Sequence, residues 1–479
     1  MKSHTATPDP LPPLPDTWPV GLLNPQEAAT RALLANIQGN LLKGHGRKEA
    51  CLLVFRLRAG ARVPDGTFWS GVRGRVTSGW LQYNQARQKL DDPHSVFTSF
   101  ALSAAGVVAF QRCFANDEAL ENDKQRFGAF NAGMREDFWC KPELAQTTWD
   151  KKTYGREGVA IHGLWLLACD NRAELKRAAR RIQGFGRRHG IEILWTEKMT
   201  TWKHKRKNRE AFGFVDGVSV PAFFRKDAAK HRLGGRWMHI PLTQVLIAND
   251  ISAEHAGGSF LVLRKLEQKV KTFRAYEAKL RGHLARRGLP RSQAAALLVG
   301  RYRNGEPLVG WPKGKLPRGV RPFNHFDHEA DPDGFKCPFH AHIRKMNPRS
   351  RFAATNGGLT KETILLTQLV RRGMVYDPQA TLSRRRWTDT GVGLMFMAYT
   401  SDIRDTFSRM QGNWSVNDLL PHEAGGSGRD PLLASPTDPW NWRKNELPAI
   451  PPLIQPKGGE YFYVPSLRWL EAGARLPSA

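Results

Sequence analysis

The chain has 479 residues, 41% of them hydrophobic, which is enough for one large core or several average ones. No apolar run approaches the ~20 residues of a membrane-spanning helix, and the N-terminus has no basic start leading into an apolar stretch. The 5 cysteines include no Cys-x-x-Cys pair, which argues against a disulfide framework or a thiolate zinc site. We therefore expect a cytoplasmic globular protein without a membrane span.

The formal net charge is +29, from 73 Lys and Arg against 44 Asp and Glu. Such a surface attracts anions, including nucleic acid, acidic membranes and sulfonated or carboxylated small molecules. The densest basic run covers residues 203–209, and it is interpreted either as a solvated loop or as a phosphate-binding segment. A basic nucleic-acid-binding protein is thus one hypothesis for function.

Residues 1–30 are Pro-rich and are predicted to form an extended or disordered arm. Strand and helix signals then alternate along the chain. Strands are predicted at 50–57, 96–102 and 164–169, and a helix begins after Asp170 or Asn171 and ends at Gly184.

The second half repeats this order. A strand is predicted at 259–263, followed by a helix in which Leu266, Val270, Phe273 and Leu280 recur at helical spacing. Another strand covers 393–399, and Ser401 can cap the helix after it. The pattern predicts a duplicated α+β architecture, with helices packed on antiparallel sheets.

The segment 325–342 is rich in potential metal ligands, among them His325, His328, His340 and His342. It predicts either a polar loop or a metal site, so a non-haem metal-binding protein is a further hypothesis. Cys337 could serve as a thiolate ligand or as a small buried apolar residue. The cations that follow His342 favour a neutral imidazole bound to a metal that carries negative groups, as haem carries propionates.

Asp216 lies between Gly213 and Gly217, in a segment that permits a tight backbone turn. We expect its carboxylate to enter an apolar pocket flanked by Phe212 and Phe214, where it could act as an acid or base. The alternative is an ordinary Asp-Gly hairpin turn.

Arg371 and Arg372 follow a short apolar run. A guanidinium at the end of a buried strand could stabilise an anion or a developing negative charge. The alternative is a surface arginine pair in a very basic protein.

Taken together, these segments resemble the dye-decolorising peroxidase family. The resemblance rests on the Gly-x-x-Asp-Gly turn with Asp216, the Ala-His-Ile-Arg-Lys-x-Asn-Pro-Arg segment with His342, and the Arg-Arg-Gly segment with Arg371. These occur in the family's order, together with the segment Asn-Ile-Gln-Gly-Asn-Leu-Leu-Lys-Gly that begins at Asn36 and the strand Gly-Leu-Met-Phe-Met-Ala-Tyr that begins at Gly393.

The resemblance implies two ferredoxin-like units, one at 31–210 and a haem-binding one at 211–479. It implies haem b with His342 as the iron ligand and with Arg344, Lys345 or Arg349 near the propionates. The implied activity is reduction of hydrogen peroxide through a ferryl porphyrin radical, followed by one-electron oxidation of dyes, phenols or other aromatic, and in part anionic, donors. A homo-oligomer is compatible with this, and nucleic acid is not an expected partner.

The resemblance also implies that Asp216 would move a proton between the peroxide oxygens and that Arg371 would stabilise the negative charge as the O–O bond breaks. Leu394 and Phe396 would line the pocket. Two points stay open. Arg372 could take the place of Arg371, because the residues that follow depart from the family's pattern, and the acid that pairs with His342 is not placed, although Asp430 is a candidate.

Overall fold

The structure is a computed structural model that describes residues 11, 21–87, 95–111, 124–137, 147–204, 207–230, 239–310, 324, 326–349, 361–377, 387–421, 428–434 and 438–475. Most of the predicted arm at 1–30 therefore lies outside the described residues. Within the described part, no helix is long and apolar enough to cross a membrane.

The strands follow the chain in two sets. Those before residue 210 are β1 (Glu49–Leu57), β2 (Phe97–Leu102), β3 (Gly163–Cys169), β4 (Ile191–Thr200), β5 (Trp202–His204) and β6 (Lys207–Arg209). Those after it are β7 (Ser259–Gln268), β8 (Val370–Arg371), β9 (Met374–Tyr376), β10 (Gly393–Thr400), β11 (Trp440–Trp442), β12 (Asn445–Leu447) and β13 (Ile454–Val464).

Helices connect and cover these strands. The α-helices are Ala28–Asn36, Gly66–Arg73, Gly79–Arg87, Ala104–Ala109, Lys124–Ala132, Arg172–Arg188, Arg225–Lys230, Val270–Arg286, Ala294–Val299, His342–Met346, Lys361–Leu366 and Leu467–Ala474. Two 3-10 turns, Leu242–Gln244 and Arg291–Gln293, and a π-helix, Arg404–Trp414, complete the described set.

Both sets of strands have the same order in space. The first runs β2-β3-β1-β4 and the second runs β13-β7-β10-β9, with all neighbours antiparallel. This is the β-α-β-β-α-β order of a ferredoxin-like unit, so the α+β duplication predicted from the sequence is confirmed. The division into domains at 210 stays a prediction.

The two four-stranded sheets join edge to edge and close into a ring. One seam pairs Thr200 of β4 with Val375 of β9, and the other pairs Tyr463 of β13 with Leu102 of β2. Side chains from one face of both sheets, such as Leu52, pack in one shared apolar cluster. Side chains from the other face, such as Leu53, pack against the surrounding helices.

Two predicted boundaries are wrong, because contacts with distant segments extend both elements. The helix that begins at Asn171, whose side chain accepts the N–H groups of Ala173 and Glu174, runs past Gly184 to Arg188. Phe185 continues its apolar stripe and stacks on Phe68 at 5.5 Å, a burial that outweighs the ~1 kcal/mol cost of a glycine within a helix. Leu266 likewise belongs to β7 rather than to the helix after it, because β7 is paired on both sides.

The helix Ala104–Ala109 packs closely on the backbone of His162 at Gly106. A Cβ at Gly106 would lie 1.7 Å from the carbonyl oxygen of His162, which is backbone and cannot rotate away. We expect Gly106→Ala to lower the free energy of unfolding by about 2–4 kcal/mol, measured by denaturant titration. Gly128→Ala is the control, since a Cβ at that helical position meets nothing within 4 Å. Equal stability of the two variants would contradict this packing.

Candidate active site

His342 begins a short helix, and its ring is held by an acid distant in sequence. The Nδ1 atom of His342 lies 2.8 Å from Oδ2 of Asp430, which is fully buried. The Oδ1 atom of Asp430 accepts the N–H groups of Leu432 and Leu433 at 2.8 and 3.1 Å. Because an ionised carboxylate only accepts hydrogen bonds, Nδ1 of His342 carries the proton and the lone pair of a neutral ring lies on Nε2.

The two cations after His342 hold its segment in place. Arg344 is 1% exposed and donates to Oδ2 of Asp331 at 2.9 Å and to the carbonyl of Cys337 at 2.6 Å. Lys345 is fully buried and donates to the carbonyls of Asn417, Leu420 and Gly428. These partners favour a structural role for both cations over the expected contact with propionates.

Arg349 lies beside a second buried arginine. It donates to the carbonyl of Asn324 at 2.8 Å, while Arg301 donates to the hydroxyl of Ser219 and to Oδ1 of Asn324, both at 2.8 Å. Burial lowers the pKa of Arg349 well below its ordinary value, and the charges of Arg301 and Arg371 lower it further. Three guanidinium groups thus lie close enough to repel one another, an arrangement that favours an anion.

Asp216 is exposed on a turn that the preceding residues fix. The Glu210 carboxylate accepts the N–H groups of Phe212 and Phe214 at 2.9 and 2.8 Å, and Gly213 and Gly217 adopt φ values of 98° and 76°. Here the structure differs from the expected apolar pocket. The rings of Phe212 and Phe214 pack on Phe273 in the core, which leaves the carboxylate of Asp216 accessible.

Arg371 ends β8, Arg372 follows it, and the two side chains donate to different segments of the chain. Arg371 has accessible surface and donates from Nη2 to the carbonyl of Ser219 at 2.9 Å. Partial enclosure lowers the pKa of Arg371, and the charge of Asp216 opposes this shift. Arg372 instead donates to the carbonyls of Asn40 and Leu41 at 2.9 and 3.3 Å. The structure therefore brings Arg371, and not Arg372, towards Asp216.

Leu394 and Phe396 share one face of β10 and are only partly buried, whereas Met395 and Met397 are fully buried on the other face. Gly373 lies against the first of these, since a Cβ there would be 3.3 Å from Cδ1 of Leu394. Arg371 of β8 pairs with Ala398 of β10, which follows Phe396 by two residues. The side chains of Leu394 and Phe396 therefore lie close to Arg371 on the sheet.

The rival sites find less support. Within the described residues, no group of three His, Cys, Asp or Glu side chains could hold a metal ion; His325 lies outside them. Burial raises the pKa of Cys337 to about 12, which disfavours a thiolate. The basic run at 203–209 includes the hairpin β5–β6, with 205–206 outside the described residues, and its Asn208 carbonyl accepts the N–H of Asp216 at 3.0 Å.

The chain is 30% identical over 474 residues to the multifunctional dye peroxidase DyP2 of an Amycolatopsis species, an alignment that covers 93% of this chain and 96% of that protein. The chain belongs to the dye-decolorising peroxidase family. It is also 27% identical to the dye-decolorizing peroxidase AauDyP1 of Auricularia auricula-judae, over 97% of this chain and 90% of that one. No family model matches the chain.

Solved structures agree with this assignment. The crystal structure of the DyP-type peroxidase AnaPX of Anabaena superposes with a TM-score of 0.79 at 27% identity, covering 96% of this chain and 98% of that one. The structure of DyP2 superposes with a TM-score of 0.76 at 28% identity, covering 92% and 96%. The protein is therefore a peroxidase, an oxidoreductase that acts on peroxide, and the peroxidases of this family are haem enzymes.

Sequence reasoning left two parts of the site undetermined. Asp430 was named as a candidate but the acid was not placed, since 88 residues separate it from His342 and no spacing rule spans such a distance. Arg301 and Glu210 were not singled out. A weak signal existed for Glu210, because a carboxylate two residues before a Phe-Gly-Phe turn can accept the N–H groups that the turn leaves unpaired.

The buried ring of His328 should make the stability of the fold depend on pH. It is 1% exposed, and among the described residues neither ring nitrogen has a hydrogen-bond partner. Burial and the charges of Arg344 and Arg349 lower the pKa of His328 well below its ordinary value. The unfolded chain binds a proton here below a pH of about 6.5 while the folded chain does not, so stability falls on acidification by about 1.4 kcal/mol per pH unit.

We therefore expect the free energy of unfolding to fall less in His328→Leu than in the unchanged protein when the pH is lowered from 7 to 5. The two decreases should differ by about 1–2 kcal/mol. Denaturant titrations at both pH values measure this difference. His239→Leu, at a partly buried histidine, is the control. A parallel loss in His328→Leu and the unchanged protein would contradict the assignment.

Proposed function

We propose that this peroxidase binds haem b through Nε2 of His342 and uses Asp216 and Arg371 to direct the reduction of hydrogen peroxide, with electrons from aromatic donors that include dyes. The single observation that carries this proposal is the 2.8 Å contact between His342 Nδ1 and a fully buried carboxylate. Such a partner fixes the ring and makes it a stronger donor to a metal. The relatives' names support the choice of dyes as donors.

The residues present fit haem. A neutral imidazole with a free Nε2 is a common ligand of haem iron, and the side chain of His342 keeps 26% of its surface accessible for such a bond. The propionates of haem need cations, and Arg349 would provide one at a place where the charges of Arg301 and Arg371 already lower its pKa. Arg344 and Lys345 support the segment that carries the ligand.

Haem, when bound, supplies the electrons that break the peroxide bond. The chain supplies the proton transfer and the electrostatics. The carboxylate of Asp216 takes the proton from the inner peroxide oxygen and delivers it to the outer one, so that water can leave. Arg371 remains charged at any working pH and stabilises the negative charge that develops as the bond breaks.

Leu394 and Phe396 face this side of β10 and, in the proposal, narrow it so that peroxide enters but a large dye does not. Bulky donors then give their electrons at the protein surface. The net charge of +29 favours anionic aromatic donors over cationic ones. A cytoplasmic location and assembly into a homo-oligomer remain predictions.

The site assignment predicts two separable phenotypes, loss of the iron ligand and retention of haem with a slow reaction. His342→Ala should remove the iron ligand and change or abolish the Soret absorption band. Asp216→Asn should keep the band but slow the reaction with peroxide by about 10²–10⁴-fold, because the proton carrier is lost. Arg371→Leu should also keep it and slow that reaction by about 10²–10³-fold. Stopped-flow absorption after mixing with peroxide measures both rates.

Arg372→Leu is the matched control for Arg371→Leu. It removes the same charge from the neighbouring residue, whose guanidinium holds the carbonyls of Asn40 and Leu41. We expect a lower unfolding temperature but an unchanged rate with peroxide. An equal rate loss in both arginine variants, or full activity after any of the three site substitutions, would refute the assignment.

Asp430→Asn tests the partner of His342. An amide oxygen can still accept from Nδ1, but without a negative charge, so the ring becomes a weaker donor. We expect haem to be held about 10–100-fold more weakly and the iron to be easier to reduce. Haem transfer to an excess of a haem-accepting protein and a redox titration measure these changes. Asp418→Asn is the control, because Asp418 is exposed and lies 3.6 Å from Arg429. Equal changes in haem retention and reduction potential in Asp418→Asn would count against the role of Asp430.

A further inference from the structure

An exposed tryptophan lies against a cluster of arginines on the C-terminal half. We call Trp387, Arg274, Arg281 and Arg303 the Trp387 patch. Trp387 exposes 38% of its surface, more than any other tryptophan in the part of the chain that the structure describes. The guanidinium carbon of Arg274 lies 4.9 Å from the centre of its ring. Exposed indole surface next to a cation offers both stacking and charge to a ligand.

The arginines of the patch are incompletely neutralised. Arg274, Arg281 and Arg303 lie 3.4, 2.8 and 2.6 Å from the carboxylate of Glu277 and share its negative charge. The carboxylate of Glu210 also acts on Arg274. Their side chains keep 30%, 53% and 26% of their surface accessible, whereas that of Glu277 keeps 6%. Burial and the charge of Arg303 lower the pKa of Arg274. An added anion would relieve this repulsion.

The carboxylate nearest to Trp387 in sequence is bound to the helix start, and not to an arginine of the patch. Asp389 accepts the N–H and the hydroxyl of Thr272, both at 2.8 Å. It is therefore occupied in the first turn of the helix Val270–Arg286, where a negative charge also suits the helix dipole. The three arginines of the patch outnumber the two carboxylates that act on them, Glu277 and Glu210, next to an aromatic surface.

The patch is connected to the turn that carries Asp216. Arg274 and Arg303 both donate to the carbonyl of Phe212, at 3.0 and 3.3 Å. Gly213 permits this approach, because a Cβ there would lie 3.2 Å from Nη2 of Arg274. A ligand on the patch would thus lie on the outer side of the proposed proton-transfer turn.

We propose that the Trp387 patch binds an aromatic anion, a sulfonate or carboxylate, with its ring against Trp387 and its anionic group at Arg274 and Arg303. That this ligand is an electron donor rests on the proposed function; its binding does not. The basic helix Arg172–Arg188 carries exposed cations at Lys176, Arg180 and Arg181 but no exposed aromatic side chain. It serves as the comparison for general attraction by charge.

Binding is tested on the haem-loaded protein without peroxide, by calorimetric titration with naphthalene-2-sulfonate. We expect Trp387→Leu and Arg274→Gln each to raise Kd by about 3- to 10-fold, through loss of stacking and of one charge. Arg181→Gln removes the same charge from the basic helix and should leave Kd unchanged. Neutral naphthalene-2-methanol should bind more weakly and should not respond to Arg274→Gln.

Unchanged binding in both patch variants, or an equal loss in Arg181→Gln, would overturn the proposal. Trp387→Leu keeps the hydrogen bonds of Arg274, so it remains informative if Arg274→Gln disturbs the turn. During turnover, KM for a sulfonated donor should rise in Trp387→Leu while kcat/KM for peroxide stays constant. Because the titration needs no turnover, its failure would leave the peroxidase assignment intact. A failed assignment of His342, Asp216 or Arg371 would in turn leave the titration result valid.

Discussion

Buried and half-buried cations that donate to backbone carbonyl groups hold together the loops on which this site depends. Lys345 binds three carbonyls of the segments that flank Asp430, and Arg349 binds the carbonyl of Asn324. Arg274 and Arg303 bind the carbonyl of Phe212 before Asp216. A long cationic side chain can donate to several carbonyls at once. This suits connections that are too irregular to pair their own backbone groups. Part of the large positive charge thus works inside the molecule rather than as a surface for partners.

Local chemistry explains what could be predicted from the sequence. Asp216 and His342 lie in short motifs whose glycines, prolines and cations are neighbours in the chain, so a resemblance could place them. The choice between Arg371 and Arg372 could not be made in that way, since it depends on which guanidinium group reaches Ser219 and which reaches Asn40 in the folded chain. The partner of His342 depends on where Lys345 holds a distant loop. Both are contacts between segments that only the folded chain brings together.

The same limit explains the errors at element boundaries. Gly184 is a reasonable helix end by local propensity, yet Phe185 finds Phe68 one layer away and the helix continues. The expected pocket around Asp216 was wrong in orientation because Phe212 and Phe214 pack on Phe273, a residue of a helix that begins far along the chain. In each case a buried aromatic contact outweighed a local preference.

The duplication shows how the second unit brings the residues of the proposed site together. In the first unit, the connection from β3 to β4 is little more than the helix Arg172–Arg188, packed by an apolar stripe. In the second unit, the corresponding connection leaves β10 through a π-helix and reaches Asp430 before β13, while the connection from β7 to β8 contains His342. His342 and Asp430 therefore meet because two connections of one unit were extended on the same side of its sheet. The sheet of the second unit, which joins the first sheet at two seams, carries Arg371, Leu394 and Phe396 on its strands.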